Sequence, residues 1–171
     1  RVGSLLVDFS KQRIDRSIFE GLVGLAEESR VLDLISAQMT GEIVNATEHR
    51  PALHTALRTP ADAKLPQVTQ DIEREQDRML QYAEAVRGGE RKGFTGRRIT
   101  HIVHIGVGGS HLGCELACRA LNRSGIEIRF LANIDRAATN HVLTGLDPET
   151  TLFVIVSKTF TTLETLANAH A

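Results

Sequence analysis

Four hydroxyl side chains and one lysine occur together in the six residues 157–162. They follow an apolar run, 152–156, which predicts a buried strand because it is short and rich in β-branched residues. Thr161 and Glu164 fit a capping box, so we expect a helix to begin at this turn. Free N–H groups at a helix N-terminus, together with Lys158, favour an anion such as phosphate. The alternative interpretation is an ordinary capped helix that follows a polar turn.

A second loop with anion-binding chemistry lies upstream, at residues 106–113, where four glycines surround Ser110 and His111. Glycine lets the backbone approach a ligand closely, and the helix predicted next offers its N-terminus. One alternative is a dinucleotide fingerprint, but His111 stands at its third glycine position and Gly113 comes two residues late. Asp135, near the end of the next predicted strand, fits the ribose-binding acid and keeps that alternative open. A glycine-rich turn that serves packing alone is a further alternative.

Histidines and cysteines near this loop do not predict a metal site. His101 and His104 would point to opposite faces of a strand, which separates them. His111, Cys114 and Cys118 fit one helix face, but no fourth ligand is evident. We therefore expect a structural role for the two cysteines and no zinc.

Composition points to an ordinary globular protein. The chain has 171 residues, of which 42% are hydrophobic and 24% charged, and a formal net charge of -1. This balance gives no sign of a nucleic-acid or membrane partner. No apolar run approaches the roughly 20 residues that a membrane-spanning helix needs. Two cysteines do not make a disulfide framework, so we expect a reducing, cytoplasmic location.

The predicted secondary structure changes character after residue 96. Before it the pattern is helical, with a capping-box signature at residues 17–20 and one apolar helix face between Pro66 and Val86. We place a boundary there, between an N-terminal helical segment, 1–96, and a second module, 97–171.

The second module alternates strands and helices, which predicts an α/β fold with a parallel sheet. We expect strands at 102–107, 126–131 and 152–156, and helices at 112–121 and 137–143. A three-strand parallel sheet normally needs cover on both faces and at its edges. We therefore expect an incomplete domain, truncated in its last helix, that is part of a larger protein.

Three segments resemble the glucose-6-phosphate isomerase family. They are the glycine loop at 105–113, the segment 147–165 with its Ser-Lys-Thr-Phe-Thr-Thr stretch, and an upstream helical signature at 45–58. Members of that family are a few times longer, so the chain is similar to their N-terminal part alone. The family usually has Asp where His111 stands and Pro where Cys114 stands. Losing an acid at a helix N-terminus costs about 0.3–1 kcal/mol of dipole interaction.

The resemblance implies an α/β/α sandwich of the sugar isomerase (SIS) type, preceded by helices. It implies reversible conversion of glucose 6-phosphate to fructose 6-phosphate through an enediol, in glycolysis and gluconeogenesis, without a cofactor, by a cytoplasmic homodimer. The catalytic groups of the family match no residue of this chain, so we expect these residues alone to be inactive. Carried over by match, Gly109 and Ser110 would line the sugar, and the phosphate would be held by Ser157, Lys158, Thr159 and Thr162.

Two other functions stay open. The same fold occurs in non-catalytic regulators that bind sugar phosphates, although no basic recognition helix for DNA is visible here. The weaker alternative is an NAD-binding domain, which would use the glycine loop and Asp135.

Overall fold

The computed structural model describes residues 3–58, 65–121 and 124–170, and every structural statement below concerns these residues. The chain forms two compact units, residues 1–76 and 77–171. The predicted boundary after residue 96 stays a prediction. Within the described ranges, no helix combines the length and the apolar character that crossing a membrane requires.

The first unit contains two helices, α1 (Arg16–Glu28) and α2 (Val31–Met39), a short 3-10 helix (Leu53–Leu57) and the beginning of α3 (Pro66–Gly88). Asp15 caps α1, because its carboxylate accepts a 2.8 Å hydrogen bond from the Ile18 N–H. The capping box predicted at residues 17–20 is therefore wrong: the helix begins earlier, behind a stronger acceptor.

The second unit is built on a parallel sheet of three strands in the order β2-β1-β3. Its strands are β1 (His101–Ile105), β2 (Glu127–Leu131) and β3 (Thr151–Ile155), and its helices are α4 (Leu112–Leu121), α5 (Arg136–Leu143) and α6 (Leu163–His170). The predicted α/β class and parallel sheet are confirmed. Helix α4 has the bounds that the sequence predicted, and each strand begins or ends within two residues of its prediction.

One face of the sheet carries α5 and α6. Val103, Ile105 and Leu131 are at most 2% exposed, and they form a core with Val142 of α5. Ala169 of α6 packs against the same core. Burying each such aliphatic side chain contributes about 1.5–3 kcal/mol, so this core stabilises the attachment of α5 and α6 to the sheet.

The opposite face carries α3 and α4. Val86 of α3 is 3% exposed and belongs to a second core, against which Ile102 and Leu152 of the sheet pack. Cys118 and Leu121 of α4 line a groove together with those two strand residues. Helix α4, which follows β1, and helix α6, which follows β3, therefore lie on opposite faces of the sheet.

This arrangement creates a topological switch point between β1 and β3. The two strands are neighbours, but the chain leaves the carboxyl end of β1 toward one face of the sheet and that of β3 toward the other face. In open parallel sheets the crevice outside such a point is where ligands bind. Both loops singled out in the sequence lie at this point.

The opposite end of the sheet is closed by an ion-pair cluster. Arg97 Nη1 lies 2.7 Å from an oxygen of Asp147 and 3.2 Å from an oxygen of Glu149. The N–H of Glu149 donates a 3.0 Å hydrogen bond to the Asp147 carboxylate. That N–H and, to a smaller extent, the Arg97 guanidinium lower the pKa of Asp147 below its ordinary value. The cluster joins the turn before β3 to the turn before β1.

Candidate functional site

Backbone hydrogen bonds bring the two candidate loops together. The Val156 N–H donates to the Ile105 carbonyl oxygen at 2.8 Å, and the Gly106 N–H donates to the Leu131 carbonyl oxygen at 3.3 Å. The glycine loop (residues 106–111) and the hydroxyl loop (residues 156–162) therefore leave the sheet side by side. The predicted placement of both loops at carboxyl ends of strands is correct.

The glycine loop folds into one 3-10 turn. The Ser110 N–H donates to the Val107 carbonyl and the His111 N–H to the Gly108 carbonyl, each at 3.0 Å. Gly108 has a φ of 55°, which glycine adopts without strain. Within the described residues, the N–H groups of Gly108 and Gly109 donate to no protein acceptor. A Cβ at Gly108 or Gly109 would meet nothing within 4 Å, and both residues are exposed.

The inner side of the same loop is tightly packed. A Cβ at Gly106 would lie 2.8 Å from the Ser110 carbonyl oxygen and 3.2 Å from Nε2 of His104. Nε2 of His104 is itself 2.8 Å from that carbonyl oxygen, and His104 is 7% exposed. Because a carbonyl can only accept, this contact requires a hydrogen on Nε2. The loop is thus packed against the sheet at Gly106 and Ser110, whereas Gly108 and Gly109 are exposed.

The hydroxyl loop is organised by its own side chains. Ser157 Oγ accepts a 3.1 Å hydrogen bond from the Phe160 N–H and lies 3.3 Å from Thr162 Oγ1. Thr159 Oγ1 and Thr161 Oγ1 are 2.6 Å apart. Phe160 has a φ of 54°, a left-handed conformation that folds the loop back on itself. These hydroxyls hold the loop in one shape and retain lone pairs and hydrogens for a ligand.

Helix α6 begins directly after this loop. Its first bond joins the Leu166 N–H to the Thr162 carbonyl at 3.0 Å, so Thr162 is the capping residue. The predicted cap, Thr161, is wrong by one position, although Glu164 does lie in the first turn. The N–H groups of that turn have no helical acceptor, and Lys158 in the preceding loop is exposed. Within the described part of the chain Lys158 forms no ion pair.

His111 closes the glycine loop at the start of α4. Its Nε2 lies 3.0 Å from an oxygen of Glu115, whose other oxygen is 2.6 Å from Arg119. The hydrogen bond from Arg119 is the main cause of a lowered pKa for Glu115, and the charge of His111 contributes. Nδ1 of His111 is buried and has no hydrogen-bond partner among the described residues. The centroid of the His111 ring lies 5.6 Å from that of the Phe130 ring.

The sequence predicted six substrate-binding residues, and the fold places all of them in these two neighbouring loops: Gly109, Ser110, Ser157, Lys158, Thr159 and Thr162. Their roles stay predictions. The contact of His104 with the glycine loop was not predicted, because a histidine inside a strand gives no sign of a contact with a loop six residues later. The described residues contain no group of three His, Cys, Asp or Glu side chains placed to hold a metal.

The structure argues against the dinucleotide-binding alternative, because the carboxylate of Asp135 is already used in hydrogen bonds. Asp135 caps α5, and its carboxylate accepts hydrogen bonds from the N–H groups of Ala137 and Ala138. A carboxylate used in this way has less capacity for the two hydroxyls of a ribose. The second unit is thus an α/β domain whose glycine loop and hydroxyl loop lie side by side at the carboxyl ends of neighbouring parallel strands, the position at which open sheets bind ligands. That the ligand is an anion stays a prediction.

Comparison with known proteins identifies the family. The family model described as phosphoglucose isomerase matches residues 8–171. The glucose-6-phosphate isomerase 1 of Rhodococcus jostii is 47% identical over 99% of this chain and 32% of its own length. That of Thiobacillus denitrificans is 44% identical over 100% of this chain and 32% of its own length.

A solved structure agrees with these matches. The crystal structure of a glucose-6-phosphate isomerase from Chlamydia trachomatis superposes with a TM-score of 0.68 at 31% identity, over 92% of this chain and 31% of that one. The chain belongs to the phosphoglucose isomerase family. The resemblance found in the sequence is thereby confirmed. The chain spans about a third of the length of the curated relatives that it matches.

Proposed function

We propose that this chain supplies the substrate-binding loops of an enzyme that interconverts glucose 6-phosphate and fructose 6-phosphate. The observation that supports the proposal is the Ile105–Val156 hydrogen bond of 2.8 Å, because it holds the starts of the glycine loop and the hydroxyl loop side by side. The names of the relatives favour this substrate over other phosphorylated sugars.

The phosphate group would bind at the hydroxyl loop. Ser157, Thr159 and Thr162 offer hydroxyl hydrogens, the first turn of α6 offers N–H groups, and Lys158 supplies a positive charge. A dianion at a helix N-terminus gains from the aligned peptide dipoles as well as from these donors. The sugar would extend toward the glycine loop, where Gly109 is exposed and Ser110 is partly exposed.

These groups bind and orient, but they do not move the proton. Aldose–ketose isomerisation requires a base that carries a proton between two neighbouring carbons. Neither loop places a carboxylate or an unbonded imidazole beside the predicted sugar position. We propose that the base, the ring-opening acid and further cationic groups belong to parts of the enzyme outside these residues. The active enzyme would be a cytoplasmic homodimer.

The test compares isomerisation of glucose 6-phosphate by this chain and by the product of the complete reading frame that contains it. We expect turnover by the complete product and none by the 171 residues. Turnover by the 171 residues above the buffer rate would show that the roles are wrongly assigned. Binding without turnover by the complete product would favour a sugar-phosphate sensor.

A further inference from the structure

We propose that His104 is a positioning residue for the sugar end of this site, because its ring holds the peptide that follows Ser110. The inference rests on the proposed function. His104 would not touch the substrate. It would act through the glycine loop, by fixing the direction in which the Ser110 hydroxyl and the neighbouring N–H groups point.

The hydrogen bond joins the rigid sheet to the last turn of the loop. His104 lies on the central strand β1 and is 7% exposed, so its ring has little freedom. Its centroid lies 5.3 Å from that of Phe130 on β2, which packs against it from the side. From this fixed position Nε2 reaches the Ser110 carbonyl oxygen at 2.8 Å.

The peptide between Ser110 and His111 is held at both of its polar groups. Its oxygen accepts from His104, and its N–H donates to the Gly108 carbonyl at 3.0 Å. Gly106 leaves the space that the first of these contacts needs, since a Cβ there would lie 3.2 Å from Nε2. Loss of the histidine donor would leave a part-buried carbonyl unpaired and one side of the loop unsupported.

Such support matters because a binding group contributes fully only when it is held in its bound position before the ligand arrives. The Ser110 hydroxyl and the N–H groups of Gly108 and Gly109 belong to the same 3-10 turn that His104 supports.

The experiment compares His104→Gln and His104→Leu in the product of the complete reading frame. Glutamine retains an N–H donor at a similar distance from the backbone, whereas leucine fills the space without a donor. The readouts are the dissociation constant for glucose 6-phosphate by calorimetry and the urea midpoint. We expect leucine to weaken binding about tenfold, and glutamine to stay within about threefold of the unchanged protein.

His101→Leu is the matched control, because His101 lies on the same strand at the end remote from both loops. A folded His104→Leu protein that binds as tightly as the control overturns the proposal. If the leucine variant does not fold, the proposal is tested by the affinity of the glutamine variant and by the tautomer of His104. Imidazole NMR of the unchanged protein must show the His104 hydrogen on Nε2, and its absence there overturns the proposal.

A Lys158→Gln variant separates this inference from the proposed function. Weaker binding by Lys158→Gln with no effect of His104→Leu would reject the positioning role and leave the substrate assignment intact. Absence of glucose 6-phosphate binding by the unchanged protein would overturn both proposals. Weaker binding by both variants, with full binding by the His101→Leu control, is the result that we expect.

Discussion

The Ile105 carbonyl accepts its 2.8 Å hydrogen bond from Val156, one residue beyond the end of β3. This bond extends the pairing of β1 and β3 past the last strand residues and into the beginnings of both loops. The loops are consequently fixed where they start, and only their outer turns are free to adapt to a ligand. The predictions below test the site and the sheet that supports it.

Removing the charge of Lys158 should weaken phosphate binding. A Lys158→Gln variant should bind glucose 6-phosphate at least about tenfold less tightly, because a hydrogen bond to a charged group contributes about 1.5–3 kcal/mol. Calorimetry on the product of the complete reading frame measures the effect. The matched control is Lys92→Gln, another exposed lysine, outside both loops. Equal affinities for the two variants would remove Lys158 from the site.

A methyl group at Gly106 should destabilise the second unit. Its Cβ would lie 2.8 Å from the Ser110 carbonyl oxygen, so the loop must shift, at a cost of about 1–3 kcal/mol. Gly113→Ala is the control, because its Cβ would meet nothing within 4 Å and α4 would gain up to about 1 kcal/mol from alanine. Urea unfolding measures both. A neutral Gly106→Ala variant would contradict the packing described here.

Truncating Leu131 should be costly, because it is 2% exposed in the core beneath α5. We expect Leu131→Ala to lower the free energy of unfolding by about 2–5 kcal/mol through lost burial and the cavity left behind. Leu116→Ala, at a side chain 71% exposed, should change it by less than about 0.5 kcal/mol. Thermal unfolding followed by circular dichroism distinguishes the two, and similar losses would argue against this core.

Stability should fall in acid through Asp147. Its pKa is lowered in the folded state, so its contribution is present above the unfolded pKa of about 3.9 and is lost as the pH falls through the folded value. Asp147→Asn should therefore lower stability at pH 7 and flatten its decline below about pH 4. Urea midpoints between pH 7 and pH 3 test this, with the exposed Glu90→Gln as control. An unchanged acid profile in Asp147→Asn would refute the prediction.

Periodicity and turn chemistry predicted most of the second unit. The predicted bounds of helix α4 agree with the observed ones, and its apolar residues Leu112, Leu116 and Ala120 recur at a spacing of four. The helix starts were less predictable. Both Asp15 and Ser17 are good capping residues, and the choice between them depends on which backbone N–H groups lie within reach. The same competition between adjacent hydroxyls moved the α6 cap from Thr161 to Thr162.

The sequence indicated the two loops of the candidate site but not their position relative to each other. Glycines, hydroxyls and Lys158 indicated two loops, since their chemistry is local to each segment. Their adjacency depends on the strand order β2-β1-β3, which pattern alone does not determine. The hydrogen bond of His104 joins the strand to the far end of the glycine loop, so no spacing rule could have indicated it.

The strand order also sets a sequence of events during synthesis. The central strand β1 gains β2 soon after it is made, but its other partner begins at Thr151, about 50 residues after His101. At roughly 5–20 residues per second, the ribosome needs several seconds to deliver β3. During that interval one edge of β1 is unpaired, and the glycine loop exists without the hydroxyl loop beside it. The two loops can therefore lie side by side only after the third strand has been made and has joined β1.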